Sequence, residues 1–380
     1  MPSYPTYNLG EILSYEQPTN YIVESTEYDD SYPVPVLTAG KSFILGYTNE
    51  TNGVYDKVPV IIFDDFTTAS KFVDFKFKVK SSAMKILSCN EEIADIKYMY
   101  YLMQITHIQS DTHKRYWISD YSKIPVSLPP LTTQHAIVSR IESLFAELDK
   151  AEEHLRTAQQ QLKIYRQAVL NHWLNNEDGK WEMVKLGDVA ERIQIGPFGT
   201  QLHKSDYIDG GIPLINPMHI NNKKIFPDFS FSVSSEKYKE LSNYYLQRDD
   251  VILGRRGEMG RCAVVSNKED GMLCGTGSLF IRGGKVLNAN YLCYLLGSQK
   301  IVLYFENSSN GTTMSNLNQG IIRNCEIPLP PLSEQKYIVK KIESHMSQTE
   351  ATEACIAESL QQTEALRQSI LKKAFSGDLI

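Results

Sequence analysis

The segment LPPLTTQHAIVSRIESLF, beginning at Leu128, returns as LPPLSEQKYIVKKIESHM at Leu329, and the match runs without a gap from 128–174 onto 329–375. Gln134 and Gln335, Ile137 and Ile338, Val138 and Val339, and the runs Ile141-Glu142-Ser143 and Ile342-Glu343-Ser344 are identical pairs. In each copy Pro-Pro forbids continuation of a strand ladder and holds the residue before it extended. Thr132 or Ser333 then stands where a hydroxyl can cap an orphan backbone N–H, which predicts a helix start. Apolar or small residues follow at Ile137, Ile141, Leu144, Leu148, Ala151, Leu155, Ala158, Leu162, Tyr165 and Val169, the four-three alternation of a heptad seam. With no Gly or Pro inside it, this helix is predicted to run from Thr132 to Leu174, roughly 64 Å at about 1.5 Å per residue. It stops at the polar cluster Asn175-Asn176-Glu177-Asp178-Gly179. The second copy keeps Ile338, Ile342, Ile356, Leu366 and Ile370 but sets His345, Thr349, Thr352, Ser359 and Thr363 at the other seam positions. A long helix with one apolar stripe cannot bury it alone, and the mate available in the same chain is the other copy.

At 380 residues the chain exceeds one ordinary core, so two globular units are expected. A basic start with an apolar h-region and any long apolar run are both missing, which predicts a soluble, cytoplasmic protein with no membrane partner. Six cysteines are scattered without a CxxC pair, so neither a zinc knuckle nor a disulfide framework is expected. The net charge of −6 conceals a division: about −5 over residues 1–123 and about +3 over 183–325. Such a chain alone should hold nucleic acid weakly, because phosphate neutralisation by Lys and Arg supplies most non-specific affinity.

Ahead of each helix lies a stretch rich in short β-type runs and turns. Val34-Pro35-Val36-Leu37 parallels Ile212-Pro213-Leu214-Ile215, and Asn8-Leu9-Gly10-Glu11-Ile12 parallels Lys185-Leu186-Gly187-Asp188-Val189. VIIFDDFTTASKFVD from Val60 parallels DVILGRRGEMGRCAVV from Asp250 as strand, polar loop and strand, with Lys71 opposite Arg261. Short helices are expected near Ile96–Gln104 and Tyr291–Ser298. The order is globule, helix, globule, helix, a duplication of half the chain.

These residues resemble the specificity subunits of type I restriction-modification systems. The likeness rests on Pro328–Ile342, on WEMVKLGDVAERI from Trp181, GIPLINPMHI from Gly211 and NGTTMSNLNQGII from Asn310, and covers essentially the whole chain. It implies an α+β fold with mixed α/β target recognition domains over 1–125 and 181–328, and conserved-type helices over 126–180 and 329–380. The two helices would run antiparallel with pseudo-twofold symmetry, paired through Ile137, Ile141, Leu144, Leu148, Leu155 and Leu162 on one side. On the other stand Ile338, Ile342, Ile356, Leu366 and Ile370. The resemblance also implies double-stranded DNA with a bipartite target, two methyltransferase subunits and two restriction or motor subunits as partners. S-adenosylmethionine, ATP and Mg²⁺ would then be used by those partners and none bound by this chain. A type IIB-like system with a fused methyltransferase-nuclease partner is the alternative.

Candidate DNA contacts follow from residue chemistry. In LGRRGEMGR the glycines allow close backbone approach, while Arg255, Arg256 and Arg261 can meet phosphate or guanine O6/N7; pairing with Asp249, Asp250 or Glu258 is the competing use. Lys223 and Lys224 follow two asparagines in a loop; Thr200, Gln201, His203 and Lys204 follow a Gly-Pro-Phe-Gly turn; Asn310, Thr312, Thr313 and Asn316 crowd a third polar stretch. In the acidic first half the candidates are Lys41, Tyr47, Thr48 and Asn49, then Thr67, Thr68 and Lys71, and the alternating Lys76, Lys78 and Lys80. Asp64 and Asp65 could accept from cytosine N4 or merely cap a loop.

Catalytic signatures are missing. Asn216-Pro217-Met218 lacks the second proline and aromatic ring of an adenine methyltransferase loop, and Gly283-Gly284-Lys285-Val286 fails as a phosphate loop in spacing and last residue. The pattern predicts recognition without catalysis and no metal ligands. A divergent enzyme and a structural adaptor are the other classes weighed.

Overall fold

A computed structural model describes residues 4–38, 42–106, 115–176, 178–309 and 316–379. The chain divides into two compact units, 1–156 with 357–380 and 157–356. Each unit therefore owns part of both long helices.

Unit 1 runs through β1 (Thr6–Asn8), α1 (Leu9–Ile12), β2 (Leu13–Glu16), β3 (Val34–Leu37), β4 (Ile44–Thr48), β5 (Val60–Asp64), β6 (Ser70–Val73), β7 (Lys78–Val79) and β8 (Met84–Cys89). It continues with α2 (Ile96–Ile105), α3 (Tyr116–Ser119), β9 (Pro125–Ser127) and the start of α4 (Leu131–Leu174). The antiparallel order β2-β8-β5-β6 makes its main sheet, and β3 pairs β4 antiparallel and β7 parallel in a second. Strand β5 explains the layering by its period of two. Ile61 and Phe63 join one core with Met99, Trp117, Ile137 and Leu371, while Val60 and Ile62 join the other with Leu37, Phe77 and Val79.

Unit 2 repeats this with different decoration. It holds the end of α4, then β10 (Met183–Lys185), α5 (Leu186–Val189), β11 (Arg192–Ile195), β12 (Tyr207–Ile208), β13 (Ile212–Ile215), β14 (Ile220–Asn221), β15 (Lys224–Ile225) and β16 (Ser232–Val233). Next come α6 (Ser235–Glu240), β17 (Asp250–Gly254), β18 (Cys262–Val264), β19 (Leu273–Cys274), β20 (Ser278–Arg282), α7 (Ala289–Leu296), α8 (Gln299–Ser309), α9 (Gln319–Arg323), β21 (Glu326–Pro328) and α10 (Leu332–Ser376). The main sheet is again antiparallel, β11-β20-β17-β18, and β13 pairs β19 in parallel where β3 paired β7. Val251 and Leu253 face one core and Ile252 the other, as in β5.

The duplication extends to single hydrogen bonds. Gln134 is fully buried and accepts from Asp95 N while its amide donates to Ile93 O and Pro129 O. Gln335, equally buried, accepts from Asn288 N and donates to Val286 O and Pro330 O. Asp95 and Asn288 are in turn the side-chain caps of α2 and α7. Leu9 N donates to Ile124 O as Leu186 N does to Cys325 O.

Two details of the helices depart from the sequence reading. Both begin one residue early, so Thr132 and Ser333 lie inside them; Pro130 O accepts from Thr133 N and Gln134 N, and Pro331 O from Glu334 N and Gln335 N. The prolines supply the first carbonyl, and Gln134 and Gln335 do the tethering assigned to a hydroxyl cap. Leu366 is half exposed and leaves the seam. Arg367 replaces it, its guanidinium 5.2 Å from the Phe145 ring centroid and paired with Asp149, because the long stem covers apolar surface while the head reaches water and acid.

Within each unit the helix segments pair antiparallel. In unit 1 the beginning of α4, at Ile137 and Ile141, shares a core with Leu371 and Ala374 near the end of α10. In unit 2 the end of α4, at Leu170 and Leu174, shares one with Ile338 and Ile342 near the start of α10. Leu144, Leu148, Leu155 and Leu162 are partly buried along α4, and Ile356 is buried and Ile370 partly buried on α10.

Candidate nucleic-acid interface

The β5–β6 and β17–β18 hairpins occupy the same place in the two units, and their ladders correct the alignment made from sequence. Asp64 N bonds Ala69 O as Gly254 N bonds Arg261 O, so Ala69 answers Arg261 and Lys71 answers Ala263. The next residues along are Asp65 and Arg255. Asp65 O accepts from Tyr116 N at 2.9 Å, and Arg255 O from Leu317 N at 3.0 Å. One backbone position thus carries opposite charges in the two units.

Both side chains are buried, and only one has an ionic partner among the described residues. Asp65 accepts from Trp117 N at 2.8 Å and is ion-paired with Lys85 Nζ at 3.3 Å, with Lys85 itself 1% exposed. Asp64 accepts from Phe66 N and Thr67 N, which fixes the turn and lets Thr68 adopt a left-handed φ of 61°. Base reading by Asp65 is therefore corrected, its carboxylate being buried and paired, while Asp64 is partly buried and caps the loop through Oδ1. Arg255 donates from Nε to Leu317 O at 2.8 Å. Burial and the neighbouring Arg256 lower its pKa from the ordinary guanidinium value.

Arg256 is exposed on this hairpin, followed by Gly257 at φ 81° and Gly260 at φ 77°. A Cβ on Gly260 would stand 2.9 Å from Leu296 O, so glycine is required where the loop crosses the end of α7. Arg261 pairs with Glu258 Oε2 at 2.6 Å and donates to Pro217 O at 3.3 Å, which is the competing use expected of it. Lys223 sits in a tight turn between β14 and β15, with Asn222 and Lys223 at φ 47° and 58°. Its Nζ donates to Cys293 O at 3.1 Å and lies over the Tyr294 ring, whereas Lys224 is exposed. These elements line a mostly polar cleft of about 450 Å³ formed by Met218, Asn221, Asn222, Lys223, Glu258 and Arg261 with Ile220, Gly260 and Cys262.

The remaining candidates are dispersed. Thr200, Gln201, His203 and Lys204 are exposed, Gln201 accepting from Tyr244 OH at 2.7 Å. Tyr47 lies in β4 and Lys71 in β6, both partly buried; Thr48 is buried, its hydroxyl accepting from Glu50 N, and Asn49 is exposed. Thr67 is exposed and Thr68 partly so. The lysine stripe is corrected: Lys76 and Lys80 are exposed, but Lys78 is 3% exposed and bound to Glu50 at 2.6 Å and Asn52 O at 2.7 Å. Lys41, Asn310, Thr312 and Thr313 lie outside the described residues, while Asn316 is described and partly buried.

Sequence reasoning passed over exposed apolar side chains beside these groups, Phe198 at 66% and Met218 at 64%. Gly-Pro-Phe-Gly and Asn-Pro-Met turns were the available signal. Asn216 Oδ1 in fact accepts from Gly277 N, just ahead of β20, and Gly277 O accepts from Arg255 N. Among the described residues no group of acidic, His or Cys side chains could hold a metal ion, and no helix is long and apolar enough to cross a membrane.

A family model described as type I restriction modification DNA specificity domain matches residues 3–157 and 178–362. The chain belongs to this family. The EcoR124I/EcoR124II specificity subunit of Escherichia coli is 32% identical over 375 residues, 95% of this chain and 90% of that one. A solved chain from work on complex assembly and conformational transition of the type I R-M system superposes with a TM-score of 0.72 at 20% identity, covering 100% and 99% of the two chains. The HsdS subunit from Thermoanaerobacter tengcongensis gives 0.61 at 21%, covering 100% and 98%. These structural likenesses carry the fold. As a type I specificity subunit, the chain is a non-catalytic DNA target-recognition component, and the type IIB-like reading is not favoured.

Proposed function

We propose that each unit of this specificity subunit reads one half of a bipartite DNA target, with α4 and α10 setting the unspecified spacer. The observation that carries this is the shared framework with unlike hairpins, Asp65 in one and Arg255 in the other. Reading by unit 2 centres on Arg256, Lys224, Thr200, Gln201 and Lys204, with Arg255, Lys223 and Arg261 held by internal partners, and also uses Asn310, Thr312, Thr313 and Asn316. Reading by unit 1 uses Lys41, Tyr47, Asn49, Thr67, Thr68 and Lys71, with Thr48 holding its loop. Two methyltransferase and two restriction subunits assemble around the chain in the cytoplasm, and S-adenosylmethionine, ATP and Mg²⁺ serve those partners. Because the chain is acidic overall, much of the positive field on the duplex comes from the methyltransferase subunits.

Methylome sequencing of a host expressing the chain with its methyltransferase tests the reading. Removing one heptad from each long helix shortens the pair by about 10 Å, equal to about three base pairs. The spacer is expected to contract by that amount with both half-sequences kept; an unchanged spacer would refute the ruler, and a changed half-sequence would refute the division of labour.

A further inference from the structure

Four of the six cysteines behave as buried or surface thiols ordinarily do. Cys274 and Cys325 are buried, Cys89 is half-buried, and desolvation pushes all three thiols up, Cys89 to about 11. Cys355 is exposed on α10. The other two stand together: Cys262 in β18 and Cys293 in α7 are 2% and 3% exposed, with their sulfurs 3.5 Å apart.

Their surroundings differ from those of the lone thiols. Cys262 Sγ donates to Cys293 O at 3.1 Å, the Lys223 ammonium donates to the same carbonyl at 3.1 Å, and the two thiols hydrogen-bond each other. That hydrogen bond first, then the lysine charge, draws the Cys262 thiol below its ordinary value against the desolvation of a buried site. The same contact pushes Cys293 up. Cys262 is also among the residues lining the polar cleft between the β14–β15 turn and the β17–β18 loop, and is itself 2% exposed. Two thiols thus stand in contact, beside an ammonium and next to the cleft.

We propose that Cys262 and Cys293 form a reversible thiol–disulfide site that takes hydrogen peroxide as its oxidant. The Cys262 thiolate attacks one peroxide oxygen, the O–O bond breaks, and the departing hydroxide takes a proton to leave as water. Cys293 sulfur then attacks Cys262 Sγ; the S–S bond forms, the S–O bond breaks, and hydroxyl leaves with the Cys293 proton as a second water. Two thiols and one peroxide become a disulfide and two waters. Bond formation brings the sulfurs from 3.5 Å to about 2.05 Å. In a reducing compartment the pair rests as dithiol, and external thiols restore it. Cys262 directly follows Arg261, and Cys293 O anchors Lys223, so closure also shifts two groups assigned to the DNA-reading surface; that consequence rests on the reading above, whereas the bond itself does not.

The test uses the full chain carrying Cys355→Ser, which removes the exposed thiol. After peroxide treatment, alkylation and digestion without reductant, a peptide linking Cys262 to Cys293 is expected, and dithiothreitol should abolish it. In Cys293→Ser, a sulfenic acid trap such as dimedone should label Cys262, while in Cys262→Ser it should leave Cys293 unlabelled. Lys223→Gln should slow linkage several-fold. Recovery of both cysteines as free thiols under peroxide that oxidises Cys355 in the parent chain overturns the site. Labelling of Cys274 or Cys325 ahead of Cys262 overturns it equally. Peptide mapping reports on the bond without reference to DNA, so its failure and a failure of target recognition are separable.

Discussion

The two units agree wherever the backbone needs a partner and differ wherever a side chain is free to choose one. Gln134 and Gln335 clasp three equivalent groups, and Gly10 and Gly187 stand in the equivalent short helices α1 and α5, where a Cβ would meet Ser122 Cβ at 2.9 Å or Arg323 Cβ at 2.8 Å. At Asp65 and Arg255 the backbone bonds are preserved while the charge inverts. A buried charge is costly unless paired, and unit 1 meets that cost with Lys85. Unit 2 places an arginine there on a backbone carbonyl, with Arg256 adding repulsion instead of relief. A framework fixed by main-chain hydrogen bonds can therefore carry unlike chemistry at its loops, as a recognition subunit requires.

The largest expected effect tests the shared part. Gln335→Leu leaves Asn288 N, Val286 O and Pro330 O without the partner that a buried side chain supplied, at about 1–3 kcal/mol for each group left orphaned. Gln134→Leu should cost a similar amount through Asp95 N, Ile93 O and Pro129 O. Thermal unfolding of the full chain, with limited proteolysis to locate the loosened unit, measures both. If either leucine variant keeps the parental midpoint, the equivalence is one of sequence and not of energetics.

The next effect tests the difference. Asp65→Asn strands Lys85 in the core and is expected to destabilise unit 1 by about 3–5 kcal/mol. Arg255→Met removes one hydrogen bond from a site with no ionic partner among the described residues, so its stability cost is about 1 kcal/mol. Its effect should fall on recognition, lowering methylation at sites of the parental second half-sequence by roughly ten-fold or more if the guanidinium supports base contact. A destabilisation of Arg255→Met as large as that of Asp65→Asn would make the two positions structural equivalents and remove Arg255 from the reading surface.

How much of this was legible in the sequence follows the range of each interaction. The long helices, the short α2 and α7, and the strand-loop-strand hairpins write themselves in local periodicity, and the repeat exposed their duplication. Contacts made across the fold left no local trace. Lys78 looked like its neighbours on an alternating strand until Glu50 and the Asn52 carbonyl claimed it. Arg255 and Arg256 are adjacent and chemically alike, yet one is buried and one exposed because the polypeptide near Leu317 covers only the first. Arg367 entered the seam in place of Leu366 because an arginine stem lies across Phe145 while its head finds Asp149, a choice invisible to an apolar-only template. Cys262 and Cys293 are brought together by a strand and a helix, so no CxxC spacing announced them.

The smallest expected effect concerns the polar seam of α10, where Thr349 in unit 2 and Thr363 in unit 1 are 2% and 6% exposed. Each hydroxyl donates back along its own helix, to His345 O at 2.5 Å and to Ser359 O at 2.9 Å. Such back-bonding satisfies the hydroxyl without adding to helix stability. Valine keeps the branched shape and the stiff χ1 while replacing a buried hydroxyl by a methyl. Thr349→Val and Thr363→Val should therefore each stabilise by less than about 1 kcal/mol, read as a small rise in the unfolding midpoint. Polar seam residues also restrict which helices pair and in what register, at some cost in stability. The double variant is accordingly expected to gain stability while forming more chain-to-chain dimers in sedimentation experiments. A loss of stability above about 1 kcal/mol in either single variant would mean that its hydroxyl serves a partner across the seam, and the two ends of α10 would then differ as sharply as the two hairpins do.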